Sequence, residues 1–408
     1  MINIIKTFFI LLFLLILNGC GKPTSTPQTL PTTWPEMETA AKGKTVRMFM
    51  WTGDPFINRY MQEYVVPNVK SAHGIDLQIS SGQGNQLVSL LATELEAGKT
   101  TSSADIMWIN GETFYQLRQL KALFGPFVDR LPNSRYVKMN SPFINTDFQQ
   151  KVDGFEAPWG NVQMAFIYDT TRVQTPPQNR SQLAAWIKAH PGRFTIDTQF
   201  AGLTFLKGLL IDIAGGQTVL NGPFDEAKYQ QYSAQLWQYL KDLRPHFWRR
   251  GETYPEGVAQ LHQLFANREI DFTMSNNDGE VDNKVLQGLF PETARAYVWE
   301  SGTIQNSHFL GITTHSGQKP AALVVINFLL SPEAQHKKMI PKIWGDGTVL
   351  DTQKLPLEKR MMFENIPGRK YAPNRADIQN RALMELAPEY MIRLAADFRK
   401  QMIEGKTP

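Results

Sequence analysis

Apolar segments alternate with polar turns through the first third of the chain. Three short apolar runs, at 45–50, 75–80 and 105–109, each end at a turn that contains glycine or polar residues. After the third run, apolar residues from Phe114 to Leu123 recur at three-residue spacing, which is typical of a helix that begins near Thr113. Repeated strand–turn–helix units predict a parallel sheet flanked by helices.

A second region of mixed helix and strand follows the Pro-Trp-Gly segment at 158–160, which interrupts the pattern. Strands are predicted at 162–168, 270–274, 298–302 and 309–312. The remaining apolar stripes predict helices at 181–189, 205–213, 227–243, 257–266, 321–330, 332–340 and 383–398, with a loop through Gly202 and with Ser331 as an N-cap.

The composition limits the number of domains and the classes of function but does not indicate a particular function. The 408 residues suffice for about two domains at roughly 150 residues each, and 42% hydrophobic with 20% charged residues is ordinary for a globular protein. The net charge of +4 comes without a long basic run, so nothing indicates nucleic-acid binding. A single cysteine excludes an intrachain disulfide and a cysteine-based metal cluster.

The N-terminus has the form of a secretory signal, with Lys6 followed by an apolar run at 8–17 that is too short to span a membrane well. The segment 17–20, Leu-Asn-Gly-Cys, resembles a bacterial lipobox. That resemblance implies removal of residues 1–19, lipid on Cys20 and a stable anchor of several acyl chains. A plain signal anchor, or cleavage elsewhere, remains the alternative. The Thr-, Pro- and Ser-rich stretch after Cys20 predicts a flexible tether.

Five further motifs occur in a characteristic order: DIMWINGE at 105–112, PWGN at 158–161, LFANREID at 264–271, GTIQN at 302–306 and NFLLSPEAQ at 327–335. Their order resembles that in bacterial solute-binding proteins, the extracytoplasmic receptors of ABC importers, and most that in the iron-, thiamine- and polyamine-type receptors. The resemblance implies an α/β, two-lobed, type II periplasmic-binding-protein fold. Each lobe is then a helix-flanked, mostly parallel sheet, and crossover strands form the hinge.

The same resemblance sets the expected organisation and partners. After the signal and a tether at 20–42, the first lobe occupies 43–157, the second occupies 158–300, and 301–408 returns to the first lobe and ends in helices. The protein is then expected to be a monomer in the periplasm or cell envelope, held to a membrane through Cys20. It captures a small solute without catalysis or cofactor and delivers it to an ABC permease with its ATPase.

Ligands of open α/β sheets lie at the carboxyl ends of strands. The candidate contacts are therefore at strand ends, at the two crossovers and in the loop before a second-lobe helix. They are Trp51, Thr52, Asp54, Asn110, Glu112, Trp159, Asn161, Gln163, Gly202 beside Phe200, Ser275, Asn276, Asn277, Glu280, Glu300 and Asn306, with His308 as a weaker candidate. Each has a structural alternative: helix caps and first-turn acids, core packing for the tryptophans, turn geometry for the glycine, and a structural hydrogen bond for the histidine.

Carboxylates are frequent among these candidates and their neighbours. If the five acids converge, the cleft is electronegative and favours a cationic or amine-bearing solute. They are Asp54, Glu112, Asp278, Glu280 and Glu300.

Two other classes of function stay open. One is a secreted lipoprotein hydrolase that uses Glu112 with Glu280, and the other is a surface interaction lipoprotein without a small ligand. Nucleotide binding is excluded because Thr93 stands where a P-loop ending in Gly98-Lys99-Thr100 requires glycine. Neither Gly-x-Ser-x-Gly nor His-Glu-x-x-His occurs, which argues against serine-hydrolase and zincin activities.

Overall fold

The computed structural model of the chain describes residues 30–404, so the predicted signal sequence, Cys20 and most of the tether lie outside the described residues. The strands are β1 (Thr45–Met50), β2 (Asp76–Ser81), β3 (Ile106–Ile109), β4 (Leu123–Phe124), β5 (Thr146–Asp147), β6 (Gln150–Lys151), β7 (Glu156–Gln163), β8 (Ala165–Asp169), β9 (Phe272–Ser275), β10 (Ala294–Tyr297), β11 (Thr303–Thr313) and β12 (Ala382–Leu383). The helices are α1 (Trp34–Ala41), α2 (Pro55–Arg59), α3 (Val66–His73), α4 (Asn85–Glu96), α5 (Gly111–Gln119), α6 (Pro142–Asn145), α7 (Arg180–Ala189), α8 (Phe200–Ile213), α9 (Gln217–Leu220), α10 (Glu226–Leu243), α11 (Val258–Ala266), α12 (Glu280–Leu286), α13 (Lys319–Leu329), α14 (Pro332–Met339), α15 (Leu357–Glu364), α16 (Arg375–Ile378) and α17 (Pro388–Phe398).

The first lobe is built on a sheet with strand order β12-β11-β3-β1-β2, in which β4 and β7 also pair with β11. Strand β1 pairs in parallel with both β2 and β3, so the three strand–turn–helix units predicted from the sequence are confirmed. Parallel strands joined through helices bring their carboxyl ends to one edge of the sheet. The loops after β1, β2 and β3 therefore share that edge.

The core of the first lobe packs around α13, whose residues from Ala321 to Ile326 are all buried. The predicted cap between this helix and the next is confirmed, since Ser331 Oγ accepts a hydrogen bond from the backbone N–H of Ala334 at 3.2 Å. Helix α1 also packs against α13 and so joins the end of the predicted tether to the folded lobe.

The crossover between the lobes differs from the predicted pattern. The Pro-Trp-Gly segment lies within β7, which runs antiparallel to β11 from the pair Gln163–Gln305 to the pair Gly311–Glu156. The register of this pairing shifts at a β-bulge between His308 and Phe309. The strand predicted at 298–302 is wrong: those residues form a turn, and β11 begins at Thr303.

The second lobe has a three-stranded sheet of order β10-β8-β9, and both neighbours pair with β8 antiparallel. A mostly parallel sheet is therefore correct for the helix-flanked strands of the first lobe and wrong for the sheet of the second. The reason is that β9 is buried at every position, and a continuous apolar run does not distinguish parallel from antiparallel pairing. Helix α8 packs beneath this sheet against α10 and α17.

The last helix belongs in the core of the second lobe, because α17 packs on α8 while also reaching α5 of the first lobe. The predicted apolar stripe at 383–398 is only partly a helix, since Leu383 lies in β12 and the helix starts at Pro388. Within residues 30–404, no helix is both long enough and apolar enough to cross a membrane.

Candidate functional site

Three loops at the carboxyl edge of the first-lobe sheet form one wall of the cleft. Thr52 Oγ1, after β1, donates a hydrogen bond of 2.8 Å to Ser81 Oγ at the end of β2. A Cβ built on Gly84, in the loop after β2, would lie 3.9 Å from Glu112 Oε1, after β3. The predicted candidates Thr52 and Glu112 thus lie on adjacent loops, while the half-buried ring of Trp51 covers Gly53.

Asp54 caps a helix of the first lobe and also contacts the second lobe. Its Oδ1 accepts hydrogen bonds from the backbone N–H groups of Phe56 at 2.7 Å and Ile57 at 3.1 Å, as an N-cap aspartate does. Its Oδ2 accepts a hydrogen bond from the ammonium group of Lys284, on α12 of the second lobe. Asp54 and Lys284 are 6% and 3% exposed, so the pair is shielded from solvent.

Glu280, at the start of α12, supplies a second carboxylate to the same ammonium group. Its Oε1 lies 3.4 Å from Lys284 Nζ and 3.3 Å from His262 Nε2. Its other oxygen accepts a hydrogen bond from Ser275, at the end of β9. We call this arrangement, in which carboxylates from the two lobes share one ammonium, the Asp54–Lys284–Glu280 bridge.

The charges of the bridge stabilise one another. Burial alone would raise the pKa of Glu280, but His262 and Lys284 outweigh it and hold that pKa well below its usual range. Burial would lower the pKa of Lys284, yet Glu280 and Asp54 raise it overall. Glu280 and Lys284 are therefore both charged at neutral pH.

Asn110 and Glu112 occupy the start of α5, next to a second set of charges. Asn110 is at the N-cap position, but its side chain makes no capping hydrogen bond. Burial raises the pKa of Glu112 to about 7, although Lys207 opposes the shift. The Oε2 atom of Glu112 is buried without a hydrogen-bond partner among the described residues. Glu112 is thus a partly buried residue whose buried Oε2 atom has no partner among the described residues.

Lys207, on α8, supplies the ammonium group of this second set. Its Nζ lies 2.5 Å from Glu385 Oε2 and 4.0 Å from the centroid of the Phe148 ring. Burial, Glu112 and Glu385 raise the pKa of Asp147, which is the third acid of the set. Glu112 has Lys207, Glu385 and Asp147 as ionisable neighbours, whereas Glu280 has His262 and Lys284. The carboxylate pair of the hydrolase hypothesis is therefore divided between two clusters.

Several important residues were not found from the sequence. Lys284 carried a usable signal, because it lies four residues after Glu280 on the same helix face. Lys207 is the one lysine in the apolar helix α8, which also marks it. Asp147, His262 and Glu385 had no local pattern, since their neighbours come from distant parts of the chain.

The crossover candidates make hydrogen bonds within the crossover and to its neighbours, or pack in the core. Asn161 Nδ2 donates to Ser307 Oγ at 3.0 Å, Gln163 Nε2 donates to Thr303 Oγ1 at 3.1 Å, and Asn306 Nδ2 donates to Glu385 Oε1 at 3.0 Å. Trp159 is fully buried in the first-lobe core, with its ring centroid 5.2 Å from that of Trp344. Trp159 therefore packs in the core, which was the alternative to a ligand contact.

The loop after β9 divides into a structural part and a part that faces the cleft. Asp278 accepts hydrogen bonds from Arg369, from Arg375 Nη2 at 3.2 Å and from the backbone N–H of Gln163 at 3.0 Å. Burial raises its pKa, but the two arginines outweigh burial and lower it. Asp278 therefore adds no negative charge to the cleft.

The two asparagines of that loop differ in their hydrogen bonding. Asn277 Oδ1 accepts a hydrogen bond from the backbone N–H of Gly279 at 3.0 Å, and its Nδ2 donates to the carbonyl of Gly345 at 3.3 Å. Asn276 Oδ1 is buried without a partner among the described residues. Asn276 Oδ1 is thus a buried acceptor after β9 without a partner among the described residues, as Glu112 Oε2 is after β3.

The structure places two candidates, Gly202 and Glu300, in elements other than those predicted. Gly202 is inside α8 and not in a loop, and a Cβ there would lie 1.9 Å from the carbonyl oxygen of Asp197, so the glycine allows close packing. Glu300 is exposed and lies in the turn before β11, which starts three residues later. Glu300 therefore does not join the other acids predicted to line the cleft.

His308 has a structural role. Its Nε2 lies 3.0 Å from Asp346 Oδ2, and its ring stacks on Trp344 with centroids 5.8 Å apart. Asp346 also accepts a hydrogen bond of 2.7 Å from Lys338. The described residues contain no group of histidine, cysteine, aspartate and glutamate that could hold a metal ion.

Two α/β lobes joined by crossover strands, with polar groups from both lobes meeting between them, define a two-lobed binding protein. The chain belongs to the bacterial extracellular solute-binding protein family, whose model matches residues 65–355. A relative, Protein YnjB of Escherichia coli (strain K12), is 36% identical over 336 residues, which cover 81% of this chain and 86% of the relative. This membership makes the protein an extracellular solute-binding protein of the periplasm or cell envelope, and not an enzyme.

Solved structures agree on the fold. The substrate-binding protein PotD of a spermidine/putrescine ABC transporter from Streptococcus pneumoniae matches with a TM-score of 0.59 and 15% identity, over 87% of this chain and 99% of that chain. The periplasmic binding protein AfuA from Actinobacillus pleuropneumoniae, with fructose-6-phosphate bound, matches with a TM-score of 0.61 and 14% identity, over 88% and 98%. One neighbour is named for polyamines and the other holds a sugar phosphate, so the shared fold leaves the solute open.

Proposed function

We propose that this receptor captures a cationic or amine-bearing solute between its lobes and delivers it to an ABC permease with its ATPase. The single observation that carries the proposal is the Asp54–Lys284–Glu280 bridge. Two buried carboxylates, one from each lobe, converge on one ammonium group. A site that holds the protein's own ammonium in this way has the charge and the hydrogen-bond acceptors that a solute amine needs.

The free acceptors support the same solute class. Glu112 Oε2 and Asn276 Oδ1 are buried without partners at strand ends of opposite lobes. A buried acceptor without a partner is costly, and a solute with N–H donors would satisfy it. The site we propose therefore comprises Asp54, Glu280, Glu112 and Asn276, with Asn110 and Ser275 beside them.

Closure of the two lobes is the step that couples binding to delivery. The carboxylate of Asp54 belongs to the first lobe and that of Glu280 to the second, so a shared cation favours the closed form over the open form. The lobe limits predicted from the sequence, 43–157 and 158–300 with a return to the first lobe from 301, are part of this proposal, except that α17 packs in the second lobe. We also propose that the receptor acts as a monomer.

A membrane anchor completes the proposal. Lipid on Cys20 would hold the receptor at the membrane beside its permease, with the residues up to α1 as a tether. The test is membrane fractionation of cells that express the wild type or Cys20→Ser. We expect the wild type in the membrane fraction and the variant outside it, and an identical distribution would contradict the anchor.

A thermal-shift panel tests the solute class. The panel contains amines (spermidine, putrescine, thiamine) and anions (phosphate, fructose-6-phosphate, citrate). A ligand at a hundredfold excess over its Kd stabilises the folded protein by about 2.7 kcal/mol. We expect an upward shift with at least one amine and none with the anions. A shift with anions alone would overturn the proposed cation.

A further inference from the structure

The hairpin formed by β5 and β6 has an unusual turn. Its two central residues, Phe148 and Gln149, have φ values of 44° and 60°, in the left-handed region. Asn-Gly is the pair that suits two successive positive φ values in a hairpin, since a Cβ is disfavoured there. Backbone strain of this kind persists where the side chains are needed for other contacts.

Phe148 inserts between the lobes. It is 1% exposed, and its ring lies against the backbone of Gly111, where a Cβ would come within 1.9 Å of the ring. The ammonium group of Lys207 also lies over this ring, at 4.0 Å from its centroid. Phe200 of the second lobe follows at 6.4 Å between ring centroids. The phenyl ring thus fills the space between α5 of the first lobe and α8 of the second.

Gln149 binds the second lobe by three hydrogen bonds. Its Oε1 accepts from the backbone N–H of Gly222 at 2.6 Å. Its Nε2 donates to the carbonyl oxygen of Glu385 at 2.8 Å and to Asn221 Oδ1 at 3.2 Å. Asn221 and Gly222 connect α9 to α10, far from the candidate solute contacts in the sequence.

The base of the hairpin belongs to the first lobe. Ile144, just before β5, packs in the core around α13, and Val152, just after β6, packs with Phe114 beneath α5. The hairpin is therefore anchored in one lobe at its base and bound to the other lobe at its tip.

We propose that hairpin 146–151 is an inter-lobe clasp, in which Phe148 and Gln149 act as positioning residues that hold the closed form without touching the solute. Phe148 also supports the start of α5, where Asn110 and Glu112 stand. The proposal rests on lobe closure in the proposed function. Its test uses no solute, so failure of the clasp is distinguishable from failure of the predicted solute class.

The test measures the radius of gyration of the solute-free, full-length protein by small-angle X-ray scattering, together with amide hydrogen exchange over residues 217–224. The main variant joins Phe148→Asn with Gln149→Gly, which suits the turn and removes both tip side chains. We expect a larger radius of gyration and at least tenfold faster exchange over 217–224. Phe148→Leu, which keeps an apolar side chain between the lobes, should change the radius of gyration and the exchange rate less than the double variant does.

Phe247→Ala is the matched control, because Phe247 is also 1% exposed but packs within the second lobe against Phe194. It should lower the melting temperature without changing the radius of gyration. Gln149→Ala serves if the double variant does not fold, and it should still speed exchange at Gly222. An unchanged radius of gyration and unchanged exchange in the clasp variants would overturn the proposal. The same changes in the control would also overturn it.

Discussion

Asp54 and Lys284 form a buried ion pair between the two lobes, although they are far apart in the chain. Asp54 caps the first helix after β1, and Lys284 lies one turn into the helix that follows β9. Each residue therefore sits at the carboxyl end of a strand of its own lobe, which is where α/β sheets hold ligands. The pair shows that the two strand ends face each other across the cleft.

Removal of the Lys284 ammonium group should lower the stability of the solute-free protein and raise its affinity for a solute amine. In Lys284→Met, Asp54 and Glu280 remain buried without their shared cation, and loss of one partner of a buried pair costs about 3 kcal/mol. We expect a lower melting temperature without solute. We also expect about tenfold tighter binding of an amine found in the thermal-shift panel, or about 1.4 kcal/mol, because the internal competitor is gone.

Lys370→Met is the control for this change of charge, since the side chain of Lys370 is 68% exposed and lies outside the bridge. It should alter neither the melting temperature nor the affinity measured by calorimetry. An unchanged melting temperature in Lys284→Met would show that the bridge does not form in solution.

Asp54 permits its cap and its charge to be separated. Asparagine caps a helix about as well as aspartate, whereas alanine does not. Asp54→Asn should therefore lose only the ion pair with Lys284, and Asp54→Ala should be about 1 kcal/mol less stable again. Urea unfolding of the two variants measures the difference. Equal stabilities would contradict the capping role that its hydrogen bonds to Phe56 and Ile57 indicate.

Glu112 should make stability fall as the pH rises. Its pKa in the folded protein is about 7, above the ordinary value of 4.5. Between those two values the folded state binds more protons than the unfolded state, so the free energy of unfolding decreases through that window. Glu112→Gln removes this contribution. We expect its urea midpoint to fall less between pH 4.5 and 7 than that of the wild type; parallel curves would contradict the assignment. Asp147, whose pKa is raised in the same sense, leaves a residual slope.

Asp278 should matter for stability and not for binding. Asp278→Asn would leave Arg369 and Arg375 without their counter-charge, at a cost of about 3 kcal/mol. Its pKa is below the ordinary 3.8, so its contribution is present above pH 3.8 and is lost as the pH falls through the lowered value. Asp153→Asn, at an exposed position, is the control for denaturant unfolding. A solute affinity that fell in Asp278→Asn would instead place this residue in the site.

The parallel strands of the first lobe could be predicted because short apolar runs there end at clear turns and are followed by helical spacing. Ser331 was predictable for the same reason, since capping is local. The second-lobe sheet was not, because β9 is buried on both faces and carries no sign of strand direction. Pro158 concealed a strand because proline is unusual inside one, yet β7 contains it beside the bulge in its pairing with β11.

The candidate site was predictable where chemistry coincided with a strand end, as at Asp54, Glu112 and Glu280. The partners that compensate the buried charges could not be predicted from the sequence. Asp278 looked like a cleft acid until Arg369 and Arg375, which come from almost a hundred residues later, were found to neutralise it. Lys207 and Glu385 meet only through the packing of α8 against the C-terminal segment, which no local pattern records.

The most direct test of the central claim is the affinity for the amine found in the panel, measured by isothermal titration calorimetry on the wild type and on Asp54→Asn with Glu280→Gln. Both substitutions keep size and hydrogen-bonding ability and remove charge, and a thermal melt confirms that the variant is folded. We expect at least a hundredfold loss of affinity, or about 2.7 kcal/mol. Equal affinity for the amine in the two proteins would contradict the claim that carboxylates from opposite lobes recognise an ammonium group.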